Sequence, residues 1–237
     1  MAQDDFDVAG LANYLHMMPA DVTKLANRGK LPGRRVADQW RFARAEIHHW
    51  LEDRIGLSDS QELVRMEGLL DRVPNADGPQ DVCISDLLLT ESIGVPLAAR
   101  TKGSAVDAMI ELVANTGILW DPEKMAEAVR QREAMHSTAL DNGVALLHPR
   151  RPIPGILSEA ILGMGVCIQG IPFGGSGVLT DIFFLICSTN DHEHLRILAR
   201  LSRIIQCTDL LNHLRNASDS TSAHKLIHQR EVAVSSA

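Results

Sequence analysis

The chain has 237 residues, 45% of them hydrophobic and 22% charged, with a formal net charge of −7. That is ordinary for a soluble globular chain and leaves room for one large domain or two small ones. No uncharged run reaches membrane-spanning length, and the acidic start MAQDDFDVAG is unlike a basic and then apolar signal peptide, so a cytoplasmic location is expected.

The charge is unevenly spread. Residues 1–55 balance eight Lys/Arg against eight Asp/Glu, and residues 24–44 hold seven basic residues against Asp38 alone. The remainder carries the whole −7. A basic patch at one end and an acidic body at the other suggest two domains with different partners. The cysteines Cys83, Cys167, Cys187 and Cys207 form no CxxC pair and lie in or beside apolar runs. Buried free thiols are expected, not disulfides or zinc ligands.

In chain order, VAGLANYLH (8–16) places apolar residues at 8, 11, 12 and 15, a helical period. Pro19 suits the first turn of a second helix through Asn27, and Gly29 stands where a helix-ending glycine belongs. LPGRRVADQWRF then gives two short segments around a polar turn, with Trp40 and Phe42 alternating as in a strand. A third helix spans Arg44–Arg54, with Ile47, Trp50 and Leu51 on one face.

Through LANYLHMMPADVTKLANRGKLP and QWRFARAEIHHWL, residues 7–54 resemble the excisionase-like, MerR-type winged helix-turn-helix, and the domain is bounded at 1–56. The resemblance implies a recognition helix at Ala20–Asn27 that turns Asp21, Thr23, Lys24 and Arg28 to a major groove. It also implies phosphate contacts from Arg34, Arg35 and Arg41 in the wing, with duplex DNA as partner. Trp40 and Trp50 read as core rather than base-stacking. The alternative is a helical adaptor with a solvated basic face.

Residues 58–73 carry capping signals and apolar positions at 63, 66, 69, 70 and 73, so a linker helix is expected. A homodimer through it would raise the affinity of so small a DNA-binding module. PNADGPQ breaks the chain and closes a linker spanning 57–80.

The second part alternates helices and strands. Ser104–Asn115 is amphipathic, and Asp121-Pro122 opens another helix with aspartate as N-cap. Strands are expected at 143–148, 164–169 and 179–187, and a final helix near 191. This order predicts an α/β sandwich with a mixed sheet. The polar tail 216–237 is expected to be flexible. The glycine-rich IPFGGSG (171–177) lacks GK[ST] and lies between two strands, so it reads as a hairpin loop and not a nucleotide site.

The final helix, DHEHLRILARLSRII, puts His194, Leu198, Leu201 and Ile205 on one face. His194 therefore points inward and His192 outward. That split sets aside a metal reading of Asp191, His192, Glu193 and His194, and no cofactor is called for. The free N–H groups of the first turn are suited to an anion. GVALLHPRRP (143–152) ends an apolar strand at His148. The segment RQREAMHST (130–138) turns shortly before it and would bring Arg132, Ser137 and Thr138 to the same pocket. Arg150 and Arg151 read as a solvated basic loop.

Arg132-Glu133, Ser137-Thr138, Gly143-Val144-Ala145, His148 and His194-Leu195, in that order, resemble the enzyme IIA domain of the phosphotransferase system. The type is the fructose, mannitol and nitrogen-regulatory one, and the likeness covers roughly residues 81–215. It implies that His148 is phosphorylated, that His194 is its companion ring, and that Arg132 helps hold the phosphate. The family usually has glycine at the place of Ala139 and proline at that of Leu147, often glycine at that of Pro149, and His136 is an added titratable group.

The expected protein is a PTS-linked regulator, a phosphohistidine carrier of the phosphotransferase class rather than a turnover enzyme. The histidine phosphocarrier protein would be its donor, and DNA or a regulated protein its partner. The alternatives are a phosphocarrier in sugar uptake, or an IIA fold used only for protein interaction.

Overall fold

Asp7 opens the first helix, α1 (Val8–Tyr14), its Oδ1 accepting from Gly10 N at 2.6 Å. The structure, a computed structural model, describes residues 5–15, 17–57, 63, 82–175 and 177–235. It divides into two compact units, Met1–Gln80 and Asp81–Ala237.

In the first unit, α2 (Pro19–Asn27) starts on its proline and ends at Gly29, whose φ is +65°. Lys30 N then donates to Leu25 O at 2.9 Å and Gly29 N to Ala26 O at 3.0 Å, the paired closing bonds that a left-handed glycine permits. Strands β2 (Arg34–Val36) and β3 (Gln39–Ala43) form a hairpin. Its two turn residues, Ala37 and Asp38, both have positive φ, as the tight turn matching strand twist requires. Helix α3 follows at Arg44–Leu57. A short strand β1 (Asp5–Phe6) pairs antiparallel with β3 and completes a three-stranded sheet, order β1-β3-β2. Two residues are too few to show a period, so β1 was not legible. Leu11, Val22, Ala26, Phe42 and Ile47 fill the core. Trp40 and Trp50 are half-buried, and each indole N–H finds an acceptor, Asn27 Oδ1 at 3.3 Å and Lys30 O at 2.9 Å. The linker helix expected at 58–73, and with it the dimer contact, lies outside the described residues except at Leu63.

The second unit begins with a short helix α4 (Ile84–Leu87) and strand β4 (Ile93–Gly94). It continues through α5 (Lys102–Ala114), α6 (Pro122–Met135), β5 (Val144–Leu147), β6 (Ile161–Pro172) and β7 (Leu179–Cys187). Helices α7 (Asp191–Ile205), α8 (Thr208–Arg215) and α9 (Ser220–Ser235) end the chain. The sheet order is β4-β6-β7-β5, with β4 parallel to β6, β6 antiparallel to β7, and β5 parallel to β7. Asp121 caps α6 by accepting from Lys124 N at 3.0 Å.

Both faces of the sheet are covered, which is why LTDIFFLIC reads as a nearly unbroken apolar run. Ala145, Leu147, Phe183, Leu185 and Cys187 face one core with Val106, Met109, Val113, Met125 and Val129. By strand alternation Val144, Leu146, Ile182, Phe184 and Ile186 face the other side, and all five are buried. Cys167 and Cys187 are buried free thiols, pushed by burial up to about 11 and about 12, so neither is a reactive thiolate at neutral pH. Cys83 and Cys207 are half-buried, not buried as expected.

The tail expected to be flexible instead forms α9, and this corrects the boundary at 215. Ala223, Ile227, Glu231 and Val234 are buried at helical spacing, and Asp219 Oδ1 accepts from Ser222 N at 2.8 Å as a cap. The polar composition concealed the stripe because one of its members is a carboxylate.

Candidate functional site

The sheet topology decides what meets. Because β5 runs parallel to β7 with Leu147 opposite Leu185, both strands end at the same edge of the sheet. The residue after β5 and the first turn of the helix after β7 are therefore brought together. His148 continues the alternation of Leu146, and α7 packs against β7. The rings of His148 and His194 lie 5.2 Å apart, centroid to centroid, tilted by 54°.

His148 Nδ1 lies 2.8 Å from Leu146 O. A carbonyl only accepts, so Nδ1 carries the hydrogen, and the lone pair of the neutral ring sits on Nε2. The strand thus fixes both the orientation of the ring and the identity of its nucleophilic nitrogen. His194 Nδ1 lies 3.0 Å from Ser188 Oγ, a buried hydroxyl just past the end of β7. Ser188 carried no signal in the sequence, because a single serine beyond a strand has neither spacing nor partner to mark it.

Thr138 belongs to a segment that runs along the free edge of β5. Leu146 N donates to Thr138 O at 3.3 Å, and Ala139 bridges Ala145. Glu133 holds this segment: its Oε1 accepts from Thr138 N at 2.9 Å and from the Thr138 hydroxyl, while its Oε2 pairs with Lys102 Nζ at 3.0 Å. The sequence marked Glu133 only as part of a motif and did not mark Lys102 at all. Ser137 Oγ donates to Phe173 O at 3.4 Å, so the glycine-rich hairpin loop forms a wall of the same region. A Cβ on Gly174 would meet the Ala139 methyl at 2.9 Å. Arg132 is buried, and its Nη1 donates to His136 O at 2.8 Å, tying the end of α6 to the turn that carries Ser137. His136 itself is exposed, as are Arg150 and Arg151.

Two expectations change. His192 is half-buried rather than turned out to solvent. At the N-terminus of α7, Asn190 Oδ1 accepts from Glu193 N at 2.9 Å, and Glu193 Oε2 reaches back to accept from Thr189 N, ahead of the helix, at 2.9 Å. With Asp191 and Glu193 in the first turn, this helix end already has its negative charge and is poorly suited to cradle an anion.

In the first unit, Asp21 and Lys24 are exposed on α2 and Arg28 is exposed just past its end, whereas Thr23 is half-buried with its hydroxyl donating to Pro19 O at 3.0 Å. Arg34 and Arg41 stand directly opposite one another across the hairpin. Like charges in that relation cost stability. Asp5, 2.6 Å from Arg34, offsets part of that cost, and Gln39 Oε1 accepts from Arg41 Nη2 at 3.0 Å. The Arg35 guanidinium lies 5.4 Å from the Trp40 ring centroid.

Residues 86–230 match the family described as "Phosphoenolpyruvate-dependent sugar phosphotransferase system, EIIA 2", and residues 6–55 match "Helix-turn-helix domain". The chain is 24% identical over 151 residues to the PTS system fructose-specific EIIABC component of Bacillus subtilis, covering 62% of this chain but 23% of that protein. It is 29% identical over 150 residues to the nitrogen regulatory protein of Bradyrhizobium diazoefficiens, covering 61% of this chain and 94% of that one. The fold matches the crystal structure of nitrogen regulatory protein IIA-Ntr from Neisseria meningitidis with a TM-score of 0.54 at 19% identity, over 61% of this chain and 98% of that chain. The chain thus belongs, through residues 86–230, to the EIIA 2 family of the phosphoenolpyruvate-dependent sugar phosphotransferase system, and it carries a helix-turn-helix domain ahead of it.

Proposed function

We propose that the protein is a phosphotransferase-system regulator that accepts a phosphoryl group on His148 Nε2 and binds duplex DNA through its helix-turn-helix. One observation carries the first half: the bond from His148 Nδ1 to Leu146 O, which leaves Nε2 as the nucleophile beside a second imidazole. A phosphorylated histidine on a donor protein would present its phosphorus in line with Nε2. The new N–P bond forms as the donor's breaks, and the electron pair of the broken bond returns to the donor ring. There is little covalent chemistry for the protein to do beyond positioning and charge stabilisation. Arg132, His194 and the Ser137-Thr138 segment are the groups for that task. The intermediate is transferable, so the domain reports the phosphorylation state of its donor.

The test is incubation with phosphoenolpyruvate, enzyme I and the histidine phosphocarrier protein. Acid-labile label on the chain is the expected result. An unlabelled chain beside a labelled control domain would remove the relay.

The DNA half rests on the exposed Lys24 of α2, on Arg28 just past its end and on the arginines of the hairpin, where Arg34 and Arg41 face each other at a cost that a phosphate would relieve. Affinity for duplex DNA should fall steeply between about 50 and about 200 mM salt. The double variant Arg34→Ala/Arg35→Ala should lower the slope of log affinity against log salt by about two, one per lost phosphate contact. Binding insensitive to salt, or equal in the variant, would return the basic face to the role of a solvated adaptor surface.

A further inference from the structure

We infer that Ser188 is a positioning residue that fixes His194 in the tautomer protonated on Nε2, the opposite of the tautomer that Leu146 fixes in His148. The two rings then differ in role: one offers a lone pair, the other offers an N–H. As a statement about phosphotransfer this rests on the reading of His148 above, but as a statement about proton placement it stands on the geometry alone.

The Ser188 hydroxyl has one hydrogen to give. Ser188 is 1% exposed, and among the described residues the polar neighbour of its Oγ is His194 Nδ1, at 3.0 Å. If Nδ1–H donated to Oγ, the serine O–H would be a buried donor with no acceptor, which is costly. If the O–H donates to Nδ1, both groups are satisfied, and the ring hydrogen must be on Nε2. The contrast with His148 follows from the partner in each case. Leu146 O can only accept and so calls for Nδ1–H, whereas a buried serine hydroxyl must donate and so calls for a bare Nδ1. A neutral Nε2–H on a ring whose centroid lies 5.2 Å from that of His148 is a hydrogen-bond donor of the kind that the equatorial oxygens of a phosphoryl group accept from, and it does not require an imidazolium. His194 in this tautomer also cannot compete as a nucleophile through Nδ1, since that lone pair is engaged by Ser188.

The experiment is nitrogen-15 NMR of the full chain labelled at histidine, which distinguishes a protonated from a bare ring nitrogen, run with the transfer assay in parallel. In the wild type, His194 is expected to show a bare Nδ1 and protonated Nε2, and His148 the reverse. Ser188→Ala should return His194 to a mixture of tautomers and slow phosphoryl acceptance about tenfold, the size of one ordinary hydrogen bond. Ser188→Thr, which keeps the hydroxyl, should preserve the wild-type tautomer and guards against a variant that merely fails to fold. A wild-type His194 protonated on Nδ1, or a tautomer unchanged in folded Ser188→Ala, would overturn the inference. A wild type that takes no label while its His194 tautomer follows Ser188 would leave the proton placement standing and sink the phosphorylation reading instead.

Discussion

His148→Ala is expected to abolish acid-labile phosphoryl incorporation, while His194→Ala leaves a labelled but slower protein. The asymmetry follows from the bonds each ring makes. His148 is held by Leu146 O with its reactive lone pair on Nε2, whereas the Nδ1 of His194 is bonded to the Ser188 hydroxyl. On the function proposed above, the first is the acceptor of phosphorus. Loss of label in His148→Ala should not come from unfolding. The ring stands beyond the last residue of β5, and the strand register is set by Val144–Leu147 against Ile182–Leu185. Removing the ring leaves Leu146 O without its partner, a cost of about 1–3 kcal/mol against a domain stability of about 5–15 kcal/mol. Urea denaturation of both variants checks this, and label remaining on folded His148→Ala would move the acceptor elsewhere in the chain.

The departures from the family pattern do not undo this arrangement. Leu147 is fully buried in the core with Leu185, so it anchors the strand end that presents the ring. Ala139 keeps its bridge to Ala145, and the room for its methyl comes from Gly174, whose missing side chain would have occupied the same space.

How much of this was legible follows from the range over which each signal acts. His148 and His194 could be found because one ends an apolar run and the other sits on a helical stripe, both periodic and local features. The parallel pairing of β5 with β7, which makes them neighbours, was not readable from either motif. Ser188, Lys102 and the clamp from Glu133 to Thr138 depend on contacts made only after the sheet has formed, so no spacing announced them. Strands β1 and β4 are two residues each and show no alternation. The Gly29 ending of α2 and the tight turn at Ala37-Asp38 belong to the opposite case, where backbone chemistry is written in adjacent residues. Helix α9 was missed because its buried stripe includes Glu231, and a carboxylate counts as surface in any reading by hydrophobicity.

Glu231 is also the site of the largest expected effect on stability, because it caps a helix from the far end of the domain. Helix α4 has no cap from its own side chains, its N-cap residue being Cys83. Glu231 Oε1 accepts from Ile84 N at 2.6 Å, and Oε2 accepts from Ser85 N at 2.9 Å and from the Ser85 hydroxyl at 2.8 Å. Ser85 spends its one hydrogen there, so His228 Nδ1, 3.0 Å away, donates to its oxygen. Burial works against ionisation of Glu231, but the hydrogen bonds from Ser85 and Ile84 outweigh it and hold the carboxyl below its ordinary value. A carboxyl lowered in the folded state adds stability that is fully present above its unfolded pKa, about 4.3, and is lost as the pH falls through the lower folded value. Glu231→Ala should therefore cost about 2–4 kcal/mol at neutral pH, since two buried backbone N–H groups lose a charged acceptor. Glu231→Gln should cost less, because it keeps one acceptor oxygen. Its urea midpoint should also fall less than that of the wild type when the pH is taken from about 5.5 to about 3.5, through the unfolded value at which the contribution of Glu231 begins to be lost. Parallel loss in the two proteins across that window would place the acid sensitivity on other carboxylates. A Glu231→Ala midpoint equal to wild type at neutral pH would mean that α9 holds α4 without the carboxylate, through its buried Ala223, Ile227 and Val234 and the bonds of His224 and His228 to Ser85.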